Sequence, residues 1–248
     1  MREEADPTME LMDRTVLITG GTAGIGRACA RRLAHEGASV IITGRNAQRG
    51  AATAVEIGSG VRYLQADMSD LESVTSLAEQ AGPVDVLVNN AAGFPAAMTV
   101  DQGVAAFERT FDTNVRGTYF LVAAVVPGML ERGRGSIINV TSMVASKGVP
   151  GASVYSASKA ALESLTRSWA AEFGSRGVRV NNVAPGPTDT EGVVAEWGET
   201  NDELGRALPL GRTAHPEEIA EAVLFLASSR SSFVTGTTLH ADGGGTAI

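Results

Sequence analysis

Short β-branched runs alternate with amphipathic stretches along the whole chain. Residues 14–20 (RTVLITG) predict a strand, and 25–37 a helix that stops at Gly37. A second strand is predicted at 39–44, a weaker helix at 46–57 and a third strand at 61–67. Ser69 and Glu72 have the spacing of a capping box, which opens a helix to about residue 81. Residues 84–92 (VDVLVNNAA) are nearly all apolar, as a strand covered on both faces must be. A long helical region over about 101–132 precedes a strand at 135–142, a helix at 153–174 and a strand at 178–186. His215-Pro216-Glu217-Glu218 opens the last helix, with proline at its first position and acids in its first turn. Residues 237–244 predict a seventh strand. Such β–α alternation predicts a parallel sheet with helices on both faces. No linker or repeat interrupts it, so one domain is expected over 13–248, after a loose acidic tail over 1–12. The irregular, acidic segment at about 187–210 follows a strand's carboxyl end, where open α/β sheets bind ligands, and is the expected substrate loop.

Composition narrows the partners. A chain of 248 residues is long enough for a sizeable core. The net charge of -8 and the lack of a basic stripe argue against nucleic acid or an anionic membrane surface as a partner. No apolar run approaches a membrane span, and the start lacks an apolar signal core. The single cysteine, Cys29, cannot form an internal disulfide and reads as a buried small hydrophobe; a cytoplasmic location is expected. His35, His215 and His240 are far apart in sequence, so no metal site is expected.

The candidate chemistry begins at TGGTAGIG (19–26), between the first strand and the first helix. Gly20, Gly24 and Gly26 allow a diphosphate to approach the backbone at a helix N-terminus. The spacing is not the common G-x-G-x-x-G. After the second strand the chain reads Thr43-Gly44-Arg45, with no acid to accept from ribose hydroxyls. A guanidinium there suits a 2′-phosphate, so NADP(H) is favoured, and NAD(H) stays open.

The stretch YSASK (155–159) puts Tyr155 and Lys159 on one helix face. The chain has only two lysines, against eighteen arginines and three tyrosines. A nearby cation favours the tyrosinate and lowers the tyrosine pKa, so the pair can exchange a proton at a hydroxyl or carbonyl oxygen. A compact ammonium also suits ribose hydroxyls, a reason for lysine where arginine is abundant.

TGxxxGxG after the first strand, NNAA after the fourth and YSASK together resemble the short-chain dehydrogenase/reductase family, over about residues 13 to 245. The resemblance implies a single doubly wound, Rossmann-type α/β domain with a seven-stranded parallel sheet. It implies that Tyr155 is the acid/base, that Ser142 holds the substrate oxygen and that Lys159 holds the ribose and lowers the Tyr155 pKa. Asn114, in FDTNVRG, matches the asparagine that supports a water-linked proton path through Lys159. For the cofactor the resemblance implies Gly20, Thr22, Gly24, Ile25 and Gly26 in the turn. Asp67 and Met68 would lie near the adenine, and Asn89, Ala91 and Gly93 would line the cofactor. Pro185, Gly186, Thr188 and Thr190 would lie by the nicotinamide. It also implies a homotetramer or homodimer, joined through the helices at about 101–132 and 153–174.

Two departures stand out. Ala92 replaces the usual glycine, so a shifted or slightly strained turn is expected, with binding surviving. Ala23 stands where many NADP(H)-using relatives carry a second basic residue, so Arg45 is expected to work alone. The expected activity is NAD(P)(H)-dependent interconversion of a carbonyl and a secondary alcohol. The substrate loop holds Asp189, Glu191, Glu196, Glu199, Asp202 and Glu203 against Arg206, an unfriendly gate for a polyanion. Val193, Val194, Trp197 and Leu204 would supply an apolar wall. A neutral, partly apolar small-molecule ketone or alcohol is the expected substrate. A 3-oxoacyl-carrier-protein-type ketoreductase is the alternative, together with a non-catalytic dinucleotide-binding regulatory protein and a purely structural scaffold.

Overall fold

The structure, a computed structural model, describes residues 9–58 and 60–248, apart from the side chains of Glu196 and Trp197. Seven strands form one sheet: β1 (Thr15–Ile18), β2 (Ser39–Gly44), β3 (Val61–Gln65), β4 (Val86–Asn89), β5 (Gly135–Val140), β6 (Val178–Pro185) and β7 (Thr238–Ala241). Every pairing is parallel, in the order β3-β2-β1-β4-β5-β6-β7. The order reverses direction at β1, so the crevice between the β1 and β4 carboxyl ends is the natural ligand site.

The helices divide between the two faces because alternate strand residues point opposite ways. Val16, Ile18, Val40 and Ile42 pack with α1 (Gly24–His35), α2 (Ala47–Ile57) and α9 (Pro216–Ala227). Leu17, Ile41, Leu87 and Ile137 pack with α3 (Leu71–Ala81), α5 (Thr118–Arg132) and α6 (Ser153–Phe173). Cys29 lies in the first of these cores, and burial pushes its thiol up to about 12 against the pull of a backbone N–H, so it is inert at neutral pH. No helix among the described residues is long and apolar enough to cross a membrane.

Four expectations change. Residues 1–8 of the expected tail lie outside the described residues, but from residue 9 the chain is held: Leu11 is buried and its N–H donates to the Glu36 carbonyl. The cap of α3 is Asp70, whose carboxylate accepts from Glu72 N, because the Ser69 hydroxyl is already given to Asp67 Oδ1 at 2.7 Å. The long helix over 101–132 is broken. After α4 (Val104–Phe111) the coil widens to a π-helical turn over Asp112–Gly117 before α5 resumes. That turn presses against Met68, and a Cβ on Gly117 would lie 1.9 Å from the Met68 carbonyl oxygen. The substrate loop contains two short helices, α7 (Glu191–Trp197) and α8 (Glu199–Arg206), with Thr190 capping the first through Val193 N and Gly198 parting them.

Candidate active site

The glycine turn is closed by Asn90. Its Nδ2 donates to the Thr19 and Gly20 carbonyls, at 3.0 and 3.1 Å. Gly20 adopts φ +64°, and a Cβ there would meet Asn90 Nδ2 and the Ala91 backbone. Gly26 is fixed by packing: a Cβ on it would stand 2.3 Å from the Gly20 carbonyl oxygen. Close backbone approach at Gly20 lets the α1 N-terminus point at the crevice, an arrangement that fits a diphosphate.

Two cavities meet over this turn and share Ala23, Asn90 and Ala92. The smaller, about 300 Å³, runs from Gly20 and Thr22 past Thr43, Gly44 and Arg45 to Asp67, Met68, Ala91 and Gly93. Thr43 Oγ1 is buried with no protein partner among the described residues, a group such a ligand would satisfy. Arg49 lines the same cavity beside Arg45, so Arg45 does not stand alone; its place four residues on, after the Asn46 cap of α2, is the signal sequence reading passed over. Burial pulls the Asp67 carboxyl up, but the Ser69 N–H and hydroxyl, together with nearby Arg45, hold it below its ordinary value.

The larger cavity, about 400 Å³, is lined by Ser142, Tyr155 and Lys159, the residues expected to transfer the proton. Ser142 follows β5, and its hydroxyl accepts from Val144 N at 3.4 Å. Tyr155 and Lys159 lie a turn apart on α6. The Tyr155 ring packs on Phe94 with centroids 4.6 Å apart. Lys159 Nζ is 5.5 Å from the Tyr155 ring centre and donates to the Val140 carbonyl at 2.7 Å. The expected lowering of the Tyr155 pKa by Lys159 is not what the protein alone produces. Burial pushes the phenol up to about 12, with the Ser142 hydrogen bond opposing it. Burial also lowers Lys159 to about 8. Enclosure by protein dominates at both groups, and Tyr155 is a protonated donor at neutral pH.

Asn114 is fully buried in the π-turn and touches neither cavity. Its Oδ1 accepts from Gly93 N at 2.8 Å, and its Nδ2 donates to Gly93 O and to Ser158 Oγ. Ser158 Oγ in turn donates to the Tyr155 carbonyl, so Asn114 joins the turn after β4 to α6. Ala92 is not strained: among the described residues Asp13 alone, outside glycine, has positive φ. Asn89 lies outside the lining of both cavities; its Nδ2 donates to Asn139 Oδ1 at 2.8 Å, starting a buried chain through Thr166 and Asn182 to Thr238, and its own Oδ1 is buried with no protein partner among the described residues. A one-residue step along a strand reverses the face, so Asn90, not Asn89, reaches the crevice.

The lid completes the larger cavity. Ile25, Pro185, Gly186, Thr188 and Thr190 line it, with Val193 and Leu204 as apolar wall. Val194 is more than half exposed and lines a separate groove beside α1; the side chains of Glu196 and Trp197 lie outside the described residues. The acidic gate is also smaller than expected. Asp189 accepts from Asn201 Nδ2 and Thr213 Oγ1, while Glu199, Asp202 and Glu203 face solvent. Glu191 is the one acid among the described lining residues.

Comparison with known proteins agrees with this geometry. A family model described as enoyl-(acyl carrier protein) reductase matches residues 20–246. A 2-keto-3-deoxy-L-fuconate dehydrogenase of Xanthomonas campestris is 40% identical over 246 residues, covering 96% of this chain and 82% of that one. A solved short chain dehydrogenase/reductase family protein superposes with TM-score 0.94 at 62% identity, covering 97% of this chain and all of the other. A Beutenbergia cavernae crystal structure with NADP bound at low occupancy is 35% identical with TM-score 0.92, over 96% of this chain and 99% of that one. The chain belongs to the short-chain dehydrogenase/reductase family and is an NAD(P)-dependent oxidoreductase acting between C=O and CH–OH groups.

Proposed function

We propose that this enzyme prefers NADP(H) and acts on a neutral, largely apolar ketone or secondary alcohol. One observation carries the reading: the cavity beside Ser142 and Tyr155 is walled by Phe94, Met143, Val144, Val149, Val193 and Leu204. Among the described lining residues Lys159 and Glu191 are the charged ones, and no arginine is there to hold a substrate carboxylate. A sugar acid like the fuconate of the Xanthomonas relative would meet Glu191 instead.

The cofactor supplies or takes the hydride. The chain's own work is placement and proton transfer. Ser142 orients the substrate oxygen, and the neutral Tyr155 phenol gives it a proton in the reducing direction. Lys159 holds the ribose, and the Asn114 clasp fixes the turn at Gly93 relative to α6. Ala23–Gly24 and Thr190 would face the diphosphate and nicotinamide side, and Asp67 the adenosine side. Arg45 and Arg49, with no acid at the end of β2, support the NADP(H) preference. We read residues 13–248 as one catalytic domain of a cytoplasmic dimer or tetramer. The exposed Phe107, Tyr119 and Phe120 on α4 and α5 support self-association there.

The test is titration of NADPH and NADH into the protein, followed by a screen of neutral ketones. Arg45→Ala should weaken NADPH about 10- to 100-fold and NADH little, as loss of a charge-assisted contact would. Arg49→Ala should weaken NADPH about 3- to 10-fold by the same argument. Equal losses for both dinucleotides would remove these arginines from the 2′-phosphate.

A further inference from the structure

Glu191 is in a place that lining a substrate cavity does not explain. It opens α7 on the lid, yet its Oε2 accepts from Gly24 N, at the start of α1, at 3.2 Å. Its Oε1 pairs with Arg27, one turn further along α1. Residues 167 apart in sequence are thereby joined across the mouth of the crevice. A carboxylate thus holds a free N–H and a guanidinium at the end of α1 where a diphosphate would be seated. Two anions compete for those groups. The acid is ionised at neutral pH: its own N–H, Arg27 and Gly24 N–H together outweigh burial and hold it below its ordinary value.

The rest of the lid is anchored elsewhere. Asp189 binds Asn201 and Thr213, which ties α8 to the segment before α9 without touching α1. Release of Glu191 removes the polar tie of α7 to α1, leaving Thr190 packed on Gly24, while the base of the lid stays fastened. Glu191 lines both the substrate cavity and the outer groove with Arg27, so its carboxylate has space on either side.

We propose that Glu191 is an internal stand-in for the cofactor diphosphate, latching the lid to α1 in the free enzyme and yielding Gly24 N–H and Arg27 to the diphosphate on binding. Arg27 is then a cofactor-affinity residue and Glu191 its competitor. The inference rests on the dinucleotide site proposed above.

The two residues predict opposite signs. Hydrogen exchange over residues 191–197 in the cofactor-free protein should quicken about 3- to 10-fold in both Glu191→Gln and Arg27→Gln, the range for one partly exposed ion pair, while residues 199–206 keep their wild-type rate. NADPH and NADH should bind about 3- to 10-fold tighter to Glu191→Gln and weaker by a similar factor to Arg27→Gln. Adenosine 2′-monophosphate, which has no diphosphate, should bind both variants like the wild type. Weaker dinucleotide binding in Glu191→Gln, or unchanged exchange in both variants, would overturn the latch. If the wild type bound neither dinucleotide, the cofactor reading would fall, and inorganic pyrophosphate would still decide the latch. It should quicken lid exchange in the wild type and not in Glu191→Gln; no effect on the wild type would refute it.

Discussion

Replacing Lys159 by methionine should make the enzyme more stable and less active. The ammonium is 2% exposed and has no carboxylate partner within 4 Å among the described residues. Burial lowers its pKa from 10.5 to about 8. At about 1.4 kcal/mol per pH unit, holding the charge inside the fold at pH 7 costs about 3 kcal/mol. Methionine has a similar length and no charge. It gives up the bond to the Val140 carbonyl, a loss of about 1 kcal/mol. The variant should therefore gain about 2 kcal/mol at pH 7, while losing proton transfer and the ribose contact. In urea, with a slope of about 3 kcal/mol per molar, the midpoint should rise by about 0.6 M.

The pH dependence gives a second reading of the same number. A lysine with a lowered folded pKa destabilises the fold while charged. Between about pH 8 and 10.5 the unfolded chain binds the extra proton, so wild-type stability rises relative to the variant. Above that window both side chains are neutral, and the advantage of the variant disappears. Urea unfolding of both proteins at several values from pH 7 to 10.5 cancels every titration they share. A variant less stable at pH 7, or an advantage that does not change with pH, would refute the argument that desolvation dominates at Lys159.

Other substitutions test other parts of the site. Tyr155→Phe should lower turnover by about 10²- to 10⁴-fold, the contribution of a positioned acid, and leave NADPH affinity within about threefold; near-wild-type rates would exclude Tyr155 as the proton donor. In the free enzyme the difference in near-ultraviolet phenolate absorbance between wild type and Tyr155→Phe should stay flat until the pH approaches 12, because burial holds this phenol protonated; a rise near pH 9 would contradict that. Gly26→Ala puts a methyl group 2.3 Å from the Gly20 carbonyl oxygen, and thermal unfolding should show a loss of about 2–4 kcal/mol with impaired dinucleotide binding. The Arg45→Ala and Arg49→Ala titrations given above complete the set.

Local periodicity carried the fold a long way. Apolar runs bounded by glycine located all seven strands, because a strand's face and length are written in adjacent residues. Spacing also brought Tyr155 and Lys159 together, since one helix turn is a local ruler. What neighbouring residues left undecided has a different cause. Asn89 and Asn90 are chemically identical neighbours, and only the pleat at the end of β4 decides which one meets the crevice. Ser69 and Asp70 are both good caps, and the choice fell to Asp70 because Asp67 had taken the Ser69 hydroxyl.

The remaining quantities depend on contacts distant in sequence. The Tyr155 pKa illustrates this. Its spacing from Lys159 argued for a lowered value, and that argument is sound for two groups in water. The fold adds Phe94 against the ring and the Val140 carbonyl against the ammonium, contributed by segments that follow β4 and end β5. Loss of solvent then dominates at both charged forms. The lid repeats the lesson with the sign of its charges. Six acids over 187–210 suggested a uniformly repellent gate, yet the fold gives Asp189 to Asn201 and Thr213 and Glu191 to α1. Acidity in the sequence becomes specific anchorage once the partners arrive, and the functional value of Glu191 lies in what it must release rather than in what it repels.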